Sequence, residues 1–270
     1  MSRTTKKVAA SNKSESRAYQ YNNGSTYNGE WVGVRRHGQG TFKQPSGASY
    51  TGHWKDDRRH GKGTLIYPDG SKYTGDWVND IRHGRGRFEW PDGNAFDGDF
   101  HEDQMTGNGT FTWATGGKYV GSFHNNKKNG KGVMTFADGK VYNGNWNNDR
   151  RHGQGSMQWK NGAKYEGDWE HDIKHGKGTY TWESGAKYTG DWVHGRRTGQ
   201  GVMSFADGGS YKGGFVNNAK EGKGAFTARD GSSYEGDWKN DEKAVFRVVD
   251  DPHELHRIWA ADVVVNLMHS

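Results

Sequence analysis

Residues 67–86 read YPDGSKYTGDWVNDIRHGRG, and they decide what kind of molecule this is. Taken alone, Gly84-Arg85-Gly86 suggests a phosphate-gripping loop with His83 beside it. Outside this window, the triplet Tyr-x-Gly-x-Trp, or a close aromatic variant, begins at Tyr27, Tyr50, Tyr73, Phe96, Tyr119, Tyr142, Tyr165, Tyr188, Tyr211 and Tyr234, at a constant spacing of 23. The glycine pair keeps step, from Gly38 and Gly40 to Gly222 and Gly224, and a turn glycine follows in each unit, often as Asp-Gly. Fixed-period self-similarity of this length marks a repeat architecture.

Alternation inside each half-unit gives the repeat its secondary structure. In Tyr73-Thr74-Gly75-Asp76-Trp77 the aromatics and glycine share one face and Thr74 and Asp76 the other, which is the period of a strand. Gly84, Gly86, Phe88 and Trp90 likewise oppose Arg85, Arg87 and Glu89, giving a second strand before Pro91-Asp92-Gly93 turns the chain. Asp-Gly and Asn-Gly between alternating runs predict hairpins, so consecutive strands pair antiparallel. Interior glycines at regular positions predict close approach by Tyr and Trp rings. About twenty strands at roughly 4.8 Å each make an elongated, twisted ribbon on the order of 100 Å long.

Composition fits a core of this kind. Leu, Ile, Val and Phe together number only 34 of 270 residues, a share that normally accompanies disorder. Twelve Trp, thirteen Tyr and eleven Phe supply the missing apolar surface, each burying on the order of 150–250 Å². There are no cysteines, hence no disulfides or thiolate metal sites. No apolar run approaches the length of a membrane span, and no N-terminal segment has the form of a signal peptide, so an intracellular protein is expected. Residues 1–18 carry +4 of the formal net charge of +6, leaving the array nearly neutral, and no nucleic-acid partner is expected.

Tyr-x-Gly-x-Trp, then His/Asn-Gly-x-Gly, then Asp-Gly, at a spacing of 23, resembles the MORN repeat (membrane occupation and recognition nexus) from residue 19 to about 240. The fold expected is therefore all-β: one elongated, twisted antiparallel sheet of MORN-repeat hairpins, with a short C-terminal helix. Within the family, TLIYPDGSKYTGDWVNDIRHGRG and the recurring Arg-His-Gly-x-Gly cores resemble the MORN-only radial spoke head proteins of motile cilia and flagella. That resemblance implies a non-enzymatic scaffold of the axoneme, a radial spoke head component supporting motility, placed in the cytoplasm and cytoskeleton with other axonemal proteins as partners. A peripheral membrane scaffold binding anionic phospholipid through a basic edge is the alternative.

His37, His60, His83, His152 and His175 recur before the glycine pair, but Thr106, Asn129, Thr198 and Glu221 fill the same slot, which points to a structural role. Two strand spacings, about 10 Å, also separate successive copies too widely to share a metal. The glycine pairs lack the following helix, and the Gly-Lys-Ser/Thr run, that phosphate binding needs. No catalytic, cofactor or metal site is expected.

The residue before the His slot is basic in eight of nine units: Arg36, Arg59, Arg82, Lys128, Arg151, Lys174, Arg197 and Lys220, with Met105 the exception. This row is the candidate partner-binding feature, read as a solvated edge that discourages aggregation, a dock for an acidic protein, or a face for anionic lipid. Self-association through the open sheet edges is a further expectation. Residues 1–18 are read as a disordered basic tail and 19–243 as the array. Residues 244–270 form a terminal segment in which Asp251 and Pro252 start a helix carrying Leu255, Ile258 and Trp259 on one face, to cap the array or dock a partner.

Overall fold

The computed structural model describes residues 14–244, and these form one open antiparallel sheet of 21 strands with no helix among them. The chain runs through β1 (Glu15–Gln20), β2 (Thr26–Val32), β3 (Arg35–Lys43) and β4 (Ser49–Lys55), and so on to a last short strand at Glu242–Lys243. Each strand pairs with its predecessor and its successor in sequence. The predicted single-layer repeat sheet is what forms. The expected C-terminal helix, with Leu255, Ile258 and Trp259, lies outside the described residues, as do residues 1–13 of the N-terminal segment.

Two kinds of connection alternate. The strands of one repeat are joined by two-residue turns, such as Asn79-Asp80, in which both residues have positive φ of 49° and 73°. Apart from Gly33-Val34, where only the glycine has positive φ, these are type I′ hairpins, whose twist matches that of the flanking strands and whose left-handed backbone Asn and Asp tolerate best. The Asp-Gly signal sits where the sequence placed it, in the longer link to the next repeat. Between β3 and β4 that link is closed by Gly47 N–H donating to the Gln44 carbonyl at 3.0 Å and Gln44 N–H donating to the Ala48 carbonyl at 2.9 Å.

The glycines of the Gly-x-Gly pair do two different jobs. The second pairs with the glycine of the Tyr-x-Gly strand, as Gly63 does with Gly52, and the Tyr50 ring lies across both. A Cβ on either would come inside 3 Å of that ring, so the predicted close approach is present. The first glycine was expected to make room for rings as well, and here the structure corrects the reading. Gly84 has φ of +60° at a register shift between Gly75 and Asp76, and a Cβ there would meet the Asp76 carboxylate, not a ring. The bulge frees the Arg85 N–H, and Asp76 accepts it at 3.1 Å. Asp99, Asp168 and Asp191 take the equivalent N–H in their own repeats, which is why an acidic residue recurs there.

Order begins earlier than Tyr19, the residue from which the repeat frame extends. β1 starts at Glu15 and pairs along its length with β2. Arg17 explains the extension: its carbonyl accepts the Trp31 Nε1–H at 3.2 Å and its guanidinium stacks on the same indole at 4.4 Å. β1 thereby supplies to the first full repeat what each repeat supplies to the next.

Candidate interaction face

The aromatic face is built in three rows. The Tyr of each Tyr-x-Gly-x-Trp, apart from the half-buried Tyr234, is buried beneath its neighbours, and its hydroxyl donates to the carbonyl three residues on, as from Tyr50 to His53 at 2.9 Å. The following Trp or Phe stands edge-on to that Tyr and to the Tyr one repeat earlier: Trp77 lies 5.1 Å from Tyr73 and 5.5 Å from Tyr50, both near perpendicular. Its Nε1–H donates to the carbonyl of Gly63 at 3.2 Å. Edge-to-face contacts of this kind add about 0.5–1.5 kcal/mol each beyond area burial. The third row, including Phe42, Leu65, Trp90, Trp113 and Trp182, packs on the first two and stays partly open to solvent.

Burial sets the acid–base character of this face. It pushes the Tyr27 and Tyr188 phenols up to about 12 and holds those of Tyr50, Tyr73, Tyr119, Tyr142, Tyr165 and Tyr211 above their ordinary value as well. At neutral pH these groups are neutral hydrogen-bond donors.

The basic row does not run along a solvated edge. Arg36 lies over the aromatic face with its guanidinium 4.1 Å from the Trp54 ring, and Arg59 and Arg151 sit 4.3 Å and 4.4 Å from Trp77 and Trp169. Arg82 and Arg197 stack on Phe100 and Phe215 at 5.4 Å and 5.5 Å. Lys128, Lys174 and Lys220 place their ammonium groups 4.6 Å, 4.3 Å and 4.3 Å from the indoles of Trp146, Trp192 and Trp238. Side chains of the ion-paired members are only 17–24% exposed. In each case the ring belongs to the next repeat, so the row links units together.

Each linkage is completed by a residue that the sequence reading passed over, the second residue of the type I′ turn. Asp57 accepts from the Arg36 backbone N–H at 3.0 Å and from its Nε at 3.1 Å, while the Asp57 N–H donates back to the Arg36 carbonyl at 3.0 Å. Asp80, Asp103 and Asp172 treat Arg59, Arg82 and Arg151 in the same way. Even at Met105, where no cation stands, Asn126 accepts the backbone N–H at 2.8 Å. The signal in the sequence is an Asp or Asn at a fixed offset of 21 after most positions of the row. Lys243 also continues the row beyond Lys220, stacking 4.9 Å from Tyr234.

Two members of the row stand apart. The turn residue facing Lys174 is Gly195, which keeps the backbone bond at 2.9 Å but supplies no carboxylate. Burial and the nearby Arg197 push the Lys174 ammonium down to about 8. Arg197 itself faces Asn218, whose carbonyl accepts from its Nη2 at 2.7 Å.

The surroundings of the histidine slot were not foreseen. A second histidine, at a strand end or in a turn, meets the slot ring in three repeats: His83 with His101 at 4.9 Å, His152 with His171 at 5.7 Å and His175 with His194 at 6.2 Å between centroids. Among the described residues no three His, Asp or Glu side chains converge as metal ligands.

The MORN-repeat family model matches ten consecutive segments: 27–49, 50–72, 73–95, 96–118, 119–141, 142–164, 165–187, 188–210, 211–233 and 234–246. No curated protein sequence matches the chain. Among solved structures, the wild-type TCP10 domain of Danio rerio CPAP in complex with a peptide of Danio rerio STIL is 8% identical, with a TM-score of 0.43 over 83% of this chain and 100% of that one. The SAS-4 (dCPAP) TCP domain of Drosophila melanogaster, in complex with a proline-rich motif of Ana2, is 13% identical, with a TM-score of 0.29 over 66% of this chain and 85% of that one.

Proposed function

The chain belongs to the MORN-repeat family, which makes it a scaffold-type interaction module, and we propose that it serves as a non-enzymatic structural scaffold of the ciliary or flagellar axoneme, within the radial spoke head. The observation that carries the scaffold reading is the single-layer sheet itself. Its aromatic face is locked by hydrogen bonds and stacked cations, yet its third row of rings stays partly open to solvent. Such a face offers preformed, rigid aromatic surface at little ordering cost, which suits docking of other proteins. The axonemal setting is supported by the Arg-His-Gly-x-Gly cores and the residue 64–86 stretch that resemble spoke-head proteins.

Acidic segments of partner subunits dock, on this reading, at Lys174 and Arg197, the two positions of the row where the turn residue is Gly195 or Asn218 and not Asp. Arg36, Arg59, Arg82 and Arg151 are already paired, which weighs against a lipid-binding edge. The test is to tag the chain in a ciliated cell, extract with detergent, and compare the axoneme pellet with the solubilised membrane. Retention on the axoneme is expected. Loss with the membrane fraction would overturn the axonemal assignment in favour of a peripheral membrane scaffold.

A further inference from the structure

We infer that the gap beside Gln44 is a docking pocket for one aromatic side chain, Tyr or Trp, presented by a partner polypeptide. The inference rests on the reading of the array as a protein-interaction module, and it names the chemistry that one site of the array takes. The array itself supplies the template. At the position of Gln44 the next seven repeats carry a ring, among them Tyr67, Trp90, Trp113 and Trp182. Those rings are held in three ways. They lean on the ring two residues earlier, as Trp90 does on Phe88 at 4.5 Å and Trp113 on Phe111 at 4.6 Å. They meet the equivalent of that ring in the following repeat, as Tyr67 meets Phe88 at 5.8 Å and Trp90 meets Phe111 at 5.4 Å. The next cation of the basic row approaches them, Lys128 at 5.6 Å from Trp113 and Arg197 at 5.7 Å from Trp182.

At Gln44 the same three roles fall to Phe42, Leu65 and Arg59, and all three line a cavity of about 290 Å³ with Tyr50 and Trp54 as its deeper wall. The Gln44 backbone makes the same turn hydrogen bonds as its counterparts and its side chain is exposed. The gap therefore comes from the missing ring and not from a displaced chain. Its rim holds Arg36 with Asp57 at 3.1 Å and Arg59 with Asp80 at 2.9 Å, so the charges cancel. A charged ligand would have to break one of those pairs, whereas a neutral ring stacks under Arg59 without doing so. A phenol O–H or indole N–H can also donate to Asp57 or Asp80, which favours Tyr and Trp over Phe. A preformed pocket for one buried aromatic anchor is the usual form of an interface hot spot.

The experiment uses the full chain, with its leucine methyl groups isotopically labelled, titrated with indole and, separately, with acetate. Leucine occurs only at 65, 255 and 267, so the Leu65 methyl signals can be assigned by substitution. Indole is expected to shift the Leu65 signals and saturate with a Kd on the order of 1 mM, as suits a fragment of this size. Acetate should leave them in place. Gln44→Trp, which supplies the ring in cis, should weaken indole binding at least tenfold, and Gln44→Leu, a smaller plug, should weaken it less. Leu65 signals indifferent to indole, or an indole response that persists unchanged in both variants, would overturn the pocket. Neither result depends on where the chain resides in a cell, so failure here and failure of the axonemal assignment are separate outcomes.

Discussion

A valine at Gly132 is expected to divide the ribbon into two independently folded pieces. Gly132 lies midway along the array, paired with Gly121 on one side and Gly144 on the other. A Cβ there would overlap the Tyr119 ring, which is fully buried and tied by its hydroxyl to the Ser122 carbonyl at 3.0 Å. The ring has no free space to swing into, because Phe123 and Trp146 stand edge-on to it at 5.1 Å and 5.4 Å. Relief requires parting the strands, at a cost of about 3 kcal/mol or more. In an array where each repeat touches only its neighbours, breaking one junction leaves the flanks their own stability. Urea unfolding should change from one transition to two, with new proteolysis between residues 119 and 146. A single transition at the original midpoint would contradict the ring-over-glycine packing.

The second large effect is alkaline collapse above about pH 10, where an unfolded tyrosine ionises. Eight phenols of the buried row have folded-state pKa values raised by burial, so above pH 10 the folded chain binds more protons than the unfolded one. Stability from these groups is fully present below pH 10 and is lost as pH rises through the folded values. Each phenol adds roughly 1.4 kcal/mol of lost stability per pH unit, so several together unfold the sheet within about one unit. Lys174 acts in the opposite sense: its folded value of about 8 lies below the ordinary 10.5, so stability rises between those limits as the unfolded chain alone keeps the proton. A pH titration of the thermal midpoint should therefore show a slight rise from pH 8 and then a steep fall. A midpoint flat to pH 12 would contradict neutral, hydrogen-bonded phenols.

The sheet, its period and its aromatic face are legible because strand alternation and repetition are properties of residue spacing, which the chain displays directly. Two other features are not. The register shift between Gly75 and Asp76 depends on pairing across strands, so Gly84 reads as room for a ring when it is a left-handed bulge residue. The basic row is visible in the sequence, but its direction is not, since Arg82 could stack on Phe100 or extend into water with the same sequence. Asp103, in the next repeat's turn, fixes the choice by accepting from the Arg82 backbone and side chain together. That pairing joins residues of adjacent repeats, which no reading of one unit at a time exposes. The cavity beside Gln44 shows in the sequence only as a lapse in the pattern, because a missing ring becomes a pocket only once Leu65 and Arg59 are placed around it.

Fold and function both turn on whether the basic row fastens the repeats or faces outward, and one double-mutant cycle decides it. Arg59→Met, Trp77→Leu and the double variant are compared with the parent by urea unfolding at neutral pH. The guanidinium sits 4.3 Å from the indole, so the structure predicts a coupling of about 1 kcal/mol, with each single change lowering stability. Coupling within about 0.3 kcal/mol of zero, with the Arg59→Met midpoint unchanged, would mean that the row is a free outer face after all.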